Sequence, residues 1–357
     1  MAYAFGAGEP VGDAVHRVVE EQVGGALSTL EQADDRDLEA AVHDSRKRAK
    51  KLRGLIRLVR PALGKAHRPA NDAFRDAGRE LSPLRDAHAA LATFDTLVAA
   101  SPDRLPDGGF GAVRSGLAAI AEEASQAEDR RIRAERAADL FRQGRHRLRR
   151  APLGSRGWAA IGPGLERTYR AGRRALADAR GRAEPAAVHE WRKRAKDAWY
   201  HVRLLRGAAP SILDPREARL HAVSDALGDA HDLAVICSRL HATPERFGGR
   251  AQVRAACSLA DDRRVMLEER ALQLGGRLYA EKPKAYADRM GAYWRVWHEM
   301  GDEMPAAGLA DLLPPTDGLD ALALDQLRDR AGEAALPARL YPTRADLIGD
   351  LRAIGAR

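Results

Sequence analysis

Apolar residues recur along this chain with the spacing of helices rather than of strands. In "VHDSRKRAKKLRGLIRLVRPAL" (42–63), Leu52, Leu55, Ile56, Val59 and Leu63 come round every three or four positions, the period of a single helical face. The same periodicity runs through nearly the whole sequence, and no stretch alternates as a half-buried strand would. It is interrupted at "RPALGKAHRP" (60–69), "SPDRLPDGG" (101–109), "APLGSRG" (151–157), "GAAPSILDP" (207–215) and "ATPERFGG" (242–249), where Pro and Gly end helices. These breaks predict about four helices up to residue 150, about four more from 156 to 281, and a short one near 284–299. "MPAAGLADLLPPTDG" (304–318) reads as a linker before a short segment at 319–357. The fold class expected is all-α.

The pattern repeats. "VHDSRKRAKKLRGLIRLVR" (42–60) returns as "VHEWRKRAKDAWYHVRLLR" (188–206) at an offset of 146. His43 falls on His189, Arg46 on Arg192, Lys47 on Lys193, Arg48 on Arg194, Lys50 on Lys196, Arg57 on Arg203 and Arg60 on Arg206. The register continues without a gap from Phe74 to Leu220, from Leu81 to Leu227, and from "RD" at 85–86 to "HD" at 231–232. Agreement over two helices and their connection predicts a duplicated four-helix unit, with one half at about 9–150 and the other at about 156–299.

Charge changes the picture. Residues 42–60 hold eight Lys or Arg against Asp44, a net of +7. On a helical wheel with His43 at zero, Arg46, Lys47, Lys50, Arg53 and Arg57 lie within about 80° of it, while the apolar set lies between about 120° and 220°. One side packs and the other carries a stripe of cations about 20 Å long. The second copy presents His189, Arg192, Lys193, Lys196 and Arg203. Gly54 lies on the cationic face and Tyr200 holds the equivalent place, an arrangement that would let a ligand come close. A solvated face is the plain alternative. Such faces usually mix signs at i,i+4, whereas Arg46–Lys50 and Arg53–Arg57 are like-charge pairs that repel. Phosphate suits the stripe: Arg offers bidentate forks, Lys a point charge and His a proton. Each His lies one turn from an Arg and a Lys, so neighbouring charge should hold its pKa below the usual value.

Composition agrees. Charged residues make up 31% of the 357-residue chain, aromatics only 5%, and the formal net charge is +8. From 301 onward ten acidic and six basic residues give −4, which leaves +12 on the first 300 residues. Such an excess predicts a polyanionic partner. Cys237 and Cys257 are too few for a disulfide framework and are expected in the core. "MAYAFGAGEPVGD" (1–13) lacks the features of a signal peptide, and no apolar run is long enough to span a membrane. A cytoplasmic protein without membrane contact is the expectation, and the sequence leaves its oligomeric state open.

The His-x-x-Arg-Lys-x-x-Lys pattern in "HDSRKRAK" and "HEWRKRAK" resembles the CHAD domain, the histidine-marked α-helical domain. The resemblance covers about 9–299 and implies two four-helix bundles related by a pseudo-two-fold axis, with a basic pore or groove between them. It implies binding of inorganic polyphosphate, and some such proteins associate with polyphosphate granules. Carried over by motif, the contact candidates are His43, Arg46, Lys47, Lys50, His189, Arg192, Lys193 and Lys196, to which the stripe adds Arg53, Arg57 and Arg203. "YRAGRR" (169–174) is similar to the family's basic helix before the second His and adds Arg170 and Arg173. Asp86 and Asp232 are expected to brace basic side chains, since a polyanion would repel them.

Other chemistry is poorly provided for. Neither His43 nor His189 has a second His or a Cys at ligand spacing, so no metal or other cofactor is expected. No Walker A loop, Gly-x-Ser-x-Gly or zinc-protease motif occurs, and a non-enzymatic role is expected. Two rival readings stay open: a nucleic-acid-binding protein using the same groove, and a phosphate-ester or polyphosphate hydrolase. The tail, "LDALALDQLRDRAGEAALPARLYPTRADLIGDLRAIGAR" (319–357), reads as helix, extended turn, helix. Leu322, Leu327, Leu347, Ile348 and Leu351 would form a small core, and Thr343 with Asp346 a capping-box-like start. It resembles the SAP and Rho-N-terminal-like modules, which implies nucleic acid as a second partner; a docking or capping role is the alternative. Its late cations Arg339, Arg344, Arg352 and Arg357 sit in an acidic segment.

Overall fold

The computed structural model describes residues 3–34, 37–106, 109–126, 129–181 and 184–302, and beyond them only residues 326, 327, 329, 347, 348 and 351. Among these the secondary structure is helical, with no strand. The chain divides into two compact units, Met1–Asp302 and Glu303–Arg357.

In the first unit the helices are α1 (Val11–Gln32), α2 (Leu38–Leu58), α3 (Arg60–Leu63), α4 (His67–Glu80), α5 (Ser82–Ala99), α6 (Gly111–Ser125) and α7 (Arg130–Arg149). They continue with α8 (Trp158–Gly181), α9 (Pro185–Leu205), α10 (Pro210–Ala242), α11 (Gly249–Leu278) and α12 (Pro283–Met300). Moved by 146, α2 falls on α9 within a residue at either end, and α1 falls on α8 within a residue at its start and three at its end.

The halves differ where the sequence reading expected them to match. Before residue 150 there are six full helices and the one-turn α3 rather than about four, and one more than the five of the second half, because α4 and α5 correspond to the single helix α10. Pro83, in the first turn of α5, has no N–H for the preceding turn and separates the two. The equivalent Asp229 lets α10 run on. Conversely, the break expected through Pro215 reduces to a short turn at Arg206–Ala208, and Pro215 lies inside α10.

The apolar stripe of α2 is buried as its spacing predicts: Leu52, Leu55, Ile56 and Val59 are inaccessible and Leu63 nearly so. Each such side chain contributes up to about 1.5–3 kcal/mol. α1 packs on α2 and α7, and α4 packs on α2 and α7. In the second half α8 packs on α9 and α12, and α10 on α9 and α11. α2 lies against both α8 and α9, and α5 lies against α10, so the buried side chains of the two halves merge into one core. Cys257 is buried in it and Cys237 half-buried, and both are free thiols.

In the second unit Leu327, Leu347, Ile348 and Leu351 are buried, as a small core requires. Leu322, the capping pair Thr343 and Asp346, the late cations and the SAP-like or Rho-N-like pattern lie outside the described residues.

Candidate functional site

The two basic helices meet at equivalent positions of the repeat. A Cβ on Gly54 would lie 2.8 Å from the Cβ of Tyr200, so the gap on α2 is filled by Tyr200 and not by a ligand. This corrects the reading of Gly54 as a place for ligand approach. The contact is tied by His201, whose Nε2–H donates to the Gly54 carbonyl at 3.0 Å. Burial holds the His201 pKa down at about 3, which keeps the ring neutral. Arg57 of α2 pairs with the buried Asp197 of α9, and Arg194 approaches the same carboxylate at 3.6 Å. Burial outweighs the attraction of these guanidiniums and raises the Asp197 pKa. The N-terminal segment adds a clasp: the Tyr3 hydroxyl donates to the Lys51 carbonyl at 2.8 Å and the Phe5 N–H to the Leu204 carbonyl at 2.9 Å.

Beside this crossing the cations of both copies converge. Lys50 lies among Arg46, Arg192 and Lys196, with Asp232 as the nearby acid. Crowding by protein comes first, then the three like charges, and together they bring the Lys50 pKa down to about 8. The side chain is nonetheless exposed to solvent, so this ammonium is open to a ligand. Lys196 is shifted downward too, by burial first and then by Arg192, Arg203 and Lys47 against the pull of Asp225. It lies 4.1 Å from the centre of the Trp199 ring, which also has the Arg203 guanidinium 4.9 Å away.

Asp86 pairs with one of these cations. Arg46 Nη1 donates to the Leu81 carbonyl at 3.3 Å and to Asp86 at 3.1 Å. Asp232 is half-buried; burial raises its pKa, while Arg192, Lys50 and Arg46 pull it down. His189 faces His231 with ring centres 4.6 Å apart. Its pKa is lowered, first by burial, then by His231, Lys193 and Arg192, so burial leads where neighbouring charge was expected to.

The remaining candidates lie around this centre. His43, Lys47 and Lys193 are exposed, and Lys193 approaches Glu190 at 3.4 Å. Arg53 donates to Asn71 at 3.3 Å, and burial lowers its pKa to about 10. Arg203 lies 3.8 Å from Glu217 and against the Tyr3 ring. Arg57 is engaged by Asp197 inside the seam. On α8, Arg170 pairs with Glu166 of its own helix and Arg173 is exposed. Trp199 was legible only as the residue that replaces Arg53 in the second copy. Tyr3 gave no local signal, since only folding brings it to the seam.

Residues 19–241 match the family model of the CHAD domain. This chain belongs to the CHAD family. The matched stretch of this CHAD protein contains both basic helices and Asp86 and Asp232. No curated protein matches the chain. Among the described residues, no helix is long and apolar enough to cross a membrane. No group of three or more His, Cys, Asp or Glu among them could hold a metal ion.

Proposed function

We propose that this CHAD protein binds inorganic polyphosphate along the seam of α2 and α9, through Arg46, Lys47, Lys50, Arg192 and Lys196, without cleaving it. The observation that carries this reading is the meeting of Arg46 and Lys50 from one copy with Arg192 and Lys196 from the other, with Asp86, Asp225 and Asp232 as the acids near them. Gathering like charge in one place costs folding free energy. A linear polyanion offsets that cost, since every phosphate unit brings acceptor oxygens for Lys and Arg. Lys193, Arg203, Arg53, His43 and His189 extend the track on either side. Recruitment to polyphosphate granules would follow from the same contacts.

Nucleic acid is the rival polyanion. Trp199, the aromatic residue closest to the cationic centre, is 8% exposed, so its face serves Lys196 and Arg203 rather than an incoming base. The test is competition at fixed salt between long-chain polyphosphate and single- or double-stranded nucleic acid. Polyphosphate should displace either nucleic acid, and replacing Lys50 and Lys196 together by Ala should weaken polyphosphate binding at least about tenfold. Preference for nucleic acid would overturn the reading. So would steady phosphate release from polyphosphate incubated with the protein and Mg²⁺, which would make the seam catalytic.

A further inference from the structure

Past the seam, the chain leaves α2 through α3 and a short turn at Gly64–Ala66 and enters α4 at His67. Here α8 packs closely across the end of α2: a Cβ on Gly164 would lie 1.7 Å from the Leu58 carbonyl oxygen. The Gly154 N–H donates to the Ala62 carbonyl at 2.8 Å and fixes the same corner. Within it His67 lies among Arg57, Arg60 and Arg167, with Asp72 as the acidic neighbour. Arg57 is taken by Asp197 and Asp72 is shared with Arg75 and Arg68. Arg60 and Arg167 are exposed, and neither pairs with a carboxylate among the described residues. His67 Nε2 is buried and has no hydrogen-bond partner. Burial first, then Arg60, Arg57 and Arg167, push the His67 pKa down to about 4, so the ring is neutral at pH 7. A neutral ring with an unused nitrogen beside two uncompensated guanidiniums is an incomplete polar arrangement.

The repeat supplies its own comparison. At an offset of 146, Arg60, His67 and Arg68 become Arg206, Leu213 and Asp214, and Arg167 corresponds to Glu21. In those places Arg206 pairs with Asp214 at 3.3 Å, Leu213 is buried, and Glu21 pairs with Arg17 at 3.2 Å. One copy neutralises the corner within the protein. The other sets Arg and His where its counterpart has carboxylates and Leu, leaving the charge to be met from outside.

We propose that Arg60, His67 and Arg167 form a second oxyanion site for a phosphate group, separate from the Lys50–Lys196 centre. The two guanidiniums supply charge-assisted hydrogen bonds and the His67 ring an N–H. The phosphate is either free orthophosphate or, if the seam binds polyphosphate as proposed above, a unit of that chain passing the end of α2. A bound anion cancels the field of Arg57, Arg60 and Arg167, so the ring should take up a proton on binding.

Following the His67 side-chain resonances of the full chain by NMR between pH 4 and 7.5 tests this, with the assignment taken from His67→Asn. Orthophosphate and long-chain polyphosphate are the two probes. Either should move the His67 resonances and raise its pKa from about 4 toward 6. An effect of both identifies a site open to free phosphate, and an effect of polyphosphate alone a site on the path of a bound chain. Arg60→Ala with Arg167→Ala should weaken the effect at least about tenfold without loss of helicity. Lys50→Ala with Lys196→Ala should leave the orthophosphate response intact, so failure of the seam would not be mistaken for failure of this site. If neither probe moves His67, or the Arg60/Arg167 variant responds like the unchanged protein, the proposal is wrong.

Discussion

Burial, and after it the charges of Arg46, Arg192 and Lys196, make the Lys50 ammonium release its proton at about pH 8. A polyphosphate chain beside it reverses that field and raises the pKa again. Free protein therefore binds more weakly once Lys50 has lost its proton, and binding in that range requires proton uptake. The sign follows: affinity for long-chain polyphosphate should fall as pH rises from about 7 to about 9, where the backbone charge of the ligand is constant. Lys196, shifted the same way, adds to the effect. Replacing both lysines by Arg, which keeps its charge, should remove most of the decline. An equally steep decline in the Arg variant would show that these ammonium groups do not meet the ligand.

The crossing of α2, α8 and α9 depends on residues chosen for what they lack. Gly54 and Gly164 sit mid-helix, where Gly costs about 1 kcal/mol relative to Ala, yet a Cβ would come within 2.8 Å of Tyr200 in one case and 1.7 Å of the Leu58 carbonyl in the other. Gly24 in α1 has open space around it. Chemical denaturation should therefore show Gly24→Ala stabilising the protein by about 0.5–1 kcal/mol. Gly54→Ala should destabilise it, and Gly164→Ala should destabilise it more, since backbone cannot turn away as a side chain can. If Gly164→Ala stabilises as Gly24→Ala does, the close packing of α8 on α2 is not present in solution. Elements of this kind separate what sequence shows from what it hides. Both basic helices, their apolar faces and their register were legible because each is local and occurs twice. The Gly54–Tyr200 contact, the capture of Arg57 by Asp197 and the clasp made by Tyr3 were not, because each joins segments far apart in sequence. The Pro83 interruption was overlooked, since the repeat continues through it in perfect register.

At the scale of the molecule, the first 300 residues hold a net charge of +12 and the remainder −4. Duplication explains how so much charge is gathered: each copy of the unit supplies one basic helix, and their crossing brings Lys50 and Lys196 together in one cationic cluster. The second copy has exchanged Arg53 for Trp199 and Lys51 for the buried Asp197. It thus holds the seam closed, while the first copy carries more of the free charge. A binding track of this design takes its affinity from many cations at once, and counterion release makes such affinity strongly salt-dependent. The most direct measurement is the slope of log affinity against log salt for long-chain polyphosphate, in the unchanged protein and in the Lys50→Ala/Lys196→Ala variant. By analogy with nucleic acids, each cation engaged adds roughly 0.7–0.9 to the slope. The variant should bind more weakly and show a slope flatter by roughly 1.5, with its helicity unchanged. Equal affinity and equal slope in the two proteins at every salt concentration would contradict the account and reduce the stripe to a solvated helix face.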